Sequence, residues 1–364
     1  GAANTFVAAV DFANTAGTIT FGDANTDQST FNGGLTVSGN QATALQGTIT
    51  TSDDTVNFGT GAMTLGAAST VTTGSGAVTF GGTVNLGQTL AVNSTGATVF
   101  SAAVGGTTAL TSLITNAGGS VSLQNVTTTG VQTYGDATAA LNGGTYTTTN
   151  NNFTVSGAAT ITADTTVNTN TDVGNISFAS IANGAAFDLA LTSGTGTVAA
   201  TGAVSVTDLT LNTTGGSTFG GSVTVNDLIV TANANAVTLN GAANTFAAQV
   251  DFANTAGTVS FGDATGDQST FDAGVSVSGN QAVALQGSVI TTNDAANFGT
   301  GTITLGANSV INTGAGAGNI SIQALAGANN LAVTGGTGTL AVATTTNITD
   351  LTLNATGGST FAGN

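Results

Sequence analysis

The sequence repeats itself and then changes what it repeats. GAANTFVAAVDFANTAGTITFGD at residues 1–23 returns as GAANTFAAQVDFANTAGTVSFGD at 241–263. Residues 1–76 match 241–316 at about two thirds of positions, and many exchanges keep shape and polarity: Ile19 with Val259, Leu35 with Val275, Ile49 with Val289. Beyond residue 316 the chain stops following its own course from 77 onward. Residues 320–363 instead resemble 176–222, and LTLNATGGSTF at 351–361 repeats LTLNTTGGSTF at 209–219. The offset drops from 240 to 142. Blocks rejoined in this way keep folding only if the structural unit is smaller than the block and any unit stacks on any other.

That smaller unit is about 20 residues, as in TVAATGAVSVTDLTLNTTGG, STFGGSVTVNDLIVTANANA and VTLNGAANTFAAQVDFANTAG from residue 197 onward. Each segment holds two short runs of alternating polarity divided by Gly or Asn-Gly turns, the mark of strands. Gly, Thr, Asn and Val are poor helix formers. A string of β-sandwiches would repeat at about 100 residues and need linkers, and no composition shift marks one. Proline is absent from the whole chain. Strands bonded on both sides exclude it, since each Pro removes a ladder hydrogen bond. The expectation is an all-β chain forming a parallel β-helix, a solenoid of about 18 coils with about 20 residues per coil. Phe58, Phe80 and Phe100 fall one coil apart and are candidates for an inner aromatic ladder. GAANTF and the final STFAGN both correspond to the middle of a unit. Residues 1–364 are therefore expected to be one continuous segment of a longer array.

Charge excludes several functions. There is no Lys, Arg, His, Cys, Pro or Trp, all 17 acidic residues are Asp, and the formal charge is −17. Disordered chains combine low hydrophobicity with dense charge; here 40% of residues are hydrophobic and 5% charged. Nucleic-acid binding rests on Lys and Arg, so no nucleic-acid partner is expected. No apolar run approaches the roughly 18 residues of a membrane span, so no membrane insertion is expected either. The absence of cysteine fits a reducing compartment or an exported protein without disulfides. Polysaccharide lyases need cationic or metal-bound groups. A glycosidase needs a carboxyl pair, yet Asp53 and Asp54 are neighbours on the chain and their copy reads Asn293-Asp294. No enzyme is expected, and no cofactor is required.

One string invites a metal. FGDANTDQSTF at 21–31 returns as FGDATGDQSTF at 261–271. Asp23, Asn25, Asp27 and Ser29 stand at alternate positions, as oxygen ligands do in a calcium loop. Gln28 and Gly34 occupy the positions where an EF-hand has Gly and Glu, so it is not an EF-hand. Asp263 and Asp267 keep the pattern, and Thr265 weakens it. The competing reading is a polar turn whose Asp residues accept backbone N–H bonds. Asp164, Asn168, Asn170 and Asp172 form a weaker candidate of the same kind.

SVSLQNVTTTGVQTYGDATAAL at 120–141, NISFASIANGAAFDLALTSGTG at 175–196 and TDLTLNATGGST at 349–360 resemble the repeats of filamentous haemagglutinin-like exoproteins, giant β-helical proteins of bacterial surfaces. The resemblance runs along nearly the whole chain. It implies a right-handed β-helix, export by a Gram-negative bacterium, and a place at the cell surface as stalk, adhesin or filament. The family's amino-terminal secretion domain is not in this sequence. The expected partner is another copy, in a homopolymer or bundle. The alternative is a binding module for surface glycans or for ice, although no regular Thr-x-Thr run is visible in successive segments.

Overall fold

The computed structural model describes residues 3–39, 41–116, 118–182, 186–279 and 281–362. The chain is a parallel β-solenoid of about 17 turns of about 21 residues, divided between two compact units, Gly1–Ala179 and Ser180–Asn364. Among the described residues no helix is long and apolar enough to cross a membrane.

Among the described residues a turn typically carries three strands, where the sequence pattern showed two. In the first unit one column runs Asn4–Phe6, Gln28–Phe31, the second half of Ala42–Thr50, the second half of Met63–Gly74, then Thr89–Ser94. A second begins Val10–Asp11, Leu35–Thr36, Val56–Asn57, Val78–Phe80, Ala97–Phe100. The third begins Thr18–Phe21, then the first halves of Ala42–Thr50 and Met63–Gly74, then Val84–Asn85. Among the described residues every pairing is parallel, so each strand bonds the next about 20 residues on. Several second-column strands have only two residues, too few to leave an alternating pattern in the sequence.

Alternation puts Val, Ile, Leu and Phe inside, since strand side chains take opposite faces in turn. In Ala42–Thr50, Thr43, Leu45, Gly47 and Ile49 are the buried positions and their neighbours are not. The expected aromatic ladder is present. Phe58 and Phe80 stack with ring centroids 5.0 Å apart, and Phe80 and Phe100 with centroids 4.6 Å apart. Offset stacking adds about 1 kcal/mol per pair beyond burial.

The second unit is built alike. Its columns include Val198–Ala200, Ser217–Phe219, Val237–Leu239 and Thr258–Phe261, and Leu189–Ser193, Asp208–Thr213 and Asp227–Val230. A third runs through Val223–Val225, Ala243–Phe246, Gln268–Phe271, Ser288–Thr291 and Ser309–Asn312.

The rejoined blocks explain themselves here. Val56–Asn57 is followed in its column by Val78 and Thr79. Its copy Ala296–Asn297 is followed by Ile320 and Ser321, from an unrelated stretch. Val78 and Ile320 are both buried. Backbone ladders ask only for a parallel strand in phase, and the core asks only for apolar volume.

Candidate functional site

The two FGDA turns are the foremost candidate site that the sequence marks. Each leaves an inward Phe, Phe21 or Phe261, and turns at a glycine in the left-handed region, Gly22 (φ 73°) or Gly262 (φ 76°). A Cβ at Gly22 would lie 2.1 Å from the Gln46 carbonyl oxygen, and one at Gly262 would lie 2.0 Å from that of Gln286. Only glycine allows this approach of the next coil.

Past the glycine the chain folds over Asp27. Its Oδ2 accepts the N–H of Asp23 at 2.8 Å and of Ala24 at 3.2 Å. Its own N–H donates to the Ala24 carbonyl at 3.1 Å, and its carbonyl accepts from Thr48 N–H in the next coil at 2.8 Å. The second copy repeats this: Asp267 Oδ2 accepts from Asp263 and Ala264, each at 2.9 Å, and the Asp267 carbonyl accepts from Ser288 N–H at 2.8 Å. The Asp23 N–H, above all, holds the Asp27 carboxyl well below the usual carboxylate range. The polar-turn reading is therefore built into both copies.

The calcium reading rests on what remains. Asp23, Asn25 and Asp263 are exposed. Asp27 and Asp267 each turn one oxygen, Oδ2, toward two backbone donors. Among the described residues no three carboxylate, imidazole or thiol groups gather as metal ligands.

Other acidic and amide residues hold neighbouring coils together. Asp53 Oδ1 accepts from Ser75 N–H at 2.8 Å, and Asn293 Oδ1 accepts from Gly316 N–H at 2.6 Å. Both sit in the left-handed region, at φ 69° and φ 67°. Asp and Asn share this tolerance and this acceptor, which is why one replaces the other between copies. Asn125 accepts from Thr145 N–H at 3.0 Å, and Asn319 from Thr339 N–H at 2.8 Å. Asp11 takes both the N–H and the hydroxyl of Ser38, and Asp251 those of Ser278. The weaker candidate is also a turn: Asn168 accepts from Asn170 N–H at 2.7 Å, and Asn150 and Asp172 bond each other across coils. Asp164 is exposed. Sequence reasoning missed these staples because donor and acceptor lie about 20 residues apart, often with no local motif.

Coil register also reveals surface order that the sequence hides. Thr48 and Thr50 lie in register with Thr70 and Thr72, and Thr30 pairs Thr50. In the second unit Asn312, Thr334 and Asn354 align in successive coils along a shallow groove of about 480 Å³.

In comparisons with known proteins, no family model, no curated protein and no solved structure matches this chain.

Proposed function

We propose that this chain is a non-catalytic structural or adhesive β-solenoid, displayed outside the cell as part of a stalk, fibre or matrix filament. The observation that carries this reading is where the polar side chains are spent. Asp and Asn at the corners, and buried Thr and Ser hydroxyls such as Thr169 on the Gly174 carbonyl (2.6 Å) and Ser193 on that of Gly196 (2.8 Å), bond the solenoid's own backbone. Such a chain invests its chemistry in its own persistence. The absence of Lys and Arg also removes every trypsin site, which suits a durable extracellular material. The resemblance to filamentous haemagglutinin-like repeats supports a Gram-negative surface location and self-association. Electron microscopy and sedimentation over a concentration series test this: fibres or bundles are expected, and single chains at all concentrations would overturn self-association.

The Asn312–Thr334–Asn354 groove favours a second reading, a glycan-binding face on the same scaffold. Amides and hydroxyls spaced by one strand, about 4.8 Å, can meet successive sugar hydroxyls. Binding to a polysaccharide panel that is lost in an Asn312→Ala/Asn354→Ala double variant would establish it. We also propose that the FGDA turns close without an ion. A chelator should leave the melting temperature unchanged, and a calcium-dependent rise would restore the metal reading.

A further inference from the structure

Asp136 sits where this chain elsewhere places a hydroxyl. It lies two residues past Tyr134, which pairs with Thr115 in the coil before. Earlier coils close the same inward corner with Thr51 on the Asp54 carbonyl (2.6 Å) and Ser94 on the Gly76 carbonyl (2.8 Å). Asp136 is 1% exposed, and so is Thr115, whose hydroxyl meets Asp136 Oδ2. The other oxygen, Oδ1, is buried with no hydrogen-bond partner.

No cation can offset a charge there, because the sequence has no Lys, Arg or His. The strands packed against this corner, Ser112–Thr115, Ser120–Leu123 and Phe153–Ile161, carry no Asp. On its own side stands Tyr134, and beyond it Tyr146 on Thr145–Thr147. Both phenols are fully buried, and burial pushes both upward, so both stay neutral. An unpaired buried carboxylate costs far more than a neutral acid, and such groups take up a proton instead. A hydroxyl accepts as well as donates, so the pairing with Thr115 survives protonation.

We propose that the folded protein holds Asp136 as a neutral carboxylic acid, so that the corner between Gln132–Tyr134 and Thr138–Leu141 loosens as pH rises. Burial drives the Asp136 carboxyl above its ordinary value, against the Thr115 hydrogen bond. A folded-state value raised above the unfolded value of about 3.9 gives stability that is complete below about pH 4. That stability is lost as pH climbs through the folded value, about tenfold in the folding equilibrium per pH unit.

The test compares the melting temperatures of the full chain, Asp136→Asn and Asp136→Thr from pH 4 to 9. The other Asp residues shift all three curves together, so the difference isolates Asp136. Each variant should gain on the native chain as pH rises; parallel curves would overturn the proposal. If the variants fail to fold, carboxyl-carbon NMR of the native chain decides. The resonance assigned to Asp136 should titrate above the ordinary carboxylate range, and its titration within that range would overturn the proposal.

Discussion

Residues 1–76 and 241–316 carry nearly the same strands in the same register, yet they are buried differently. Phe246 and Phe271 stack at 4.8 Å, and Phe6 and Phe31 at 4.9 Å. Phe246 is fully buried while Phe6 is 41% exposed. The strand Ala243–Phe246 is bonded on both sides, to Val223–Val225 and Gln268–Phe271. Among the described residues, Asn4–Phe6 is bonded on one side only. Val10 and Phe12 are partly exposed, whereas Val250 and Phe252 are buried. A coil's geometry is thus set by its own residues, while full burial of its inward side chains also needs a coil on either side.

The largest effects should separate the copies. Phe246→Ala should cost about 3–5 kcal/mol, and Phe6→Ala a fraction of that, as read by denaturant unfolding. Equal losses would show that neighbouring coils do not set the value of a buried ring. Gly22→Ala and Gly262→Ala should cost about 3 kcal/mol each, since both turns meet the next coil equally closely. Asp267→Ala should cost about 1–2 kcal/mol through its two orphaned N–H groups, seen as faster hydrogen exchange at Asp263 and Ala264. For Asp27 the sign runs with acid. Its lowered carboxyl adds stability above about pH 3.9 that fades as pH falls through the folded value. Asp27→Asn should therefore flatten the acid limb of a melting-temperature profile. The smallest change should be Asp53→Asn, within about 0.5 kcal/mol, because Asn293 already fills that place in the copy.

The solenoid, its period and the Phe58–Phe80–Phe100 ladder were legible because alternation and spacing are local or strictly periodic. Surface order was not, because turns of uneven length hide which Thr residues align. Asp136 was hidden for another reason. GDA occurs at 22–24, 135–137 and 262–264, with Asp23 and Asp263 exposed and Asp136 buried. Gly22 and Gly262 adopt the left-handed conformation and Gly135 does not. One backbone torsion, unreadable from three letters, sends the same side chain outward or inward.

The freedom of Val56–Asn57 and its copy Ala296–Asn297 to accept unlike successors has a genetic consequence. Recombination between the two repeats at that strand would remove residues 58–297 and join Asn57 to Phe298. Each strand pairing at the junction would have a counterpart in the parent, since Val56, now paired with Val78, would take Ile320 as Ala296 does. Unequal crossing-over in such a gene would change protein length while keeping the stacking of coils, so slippage that would destroy a globular domain becomes a change in the number of turns alone.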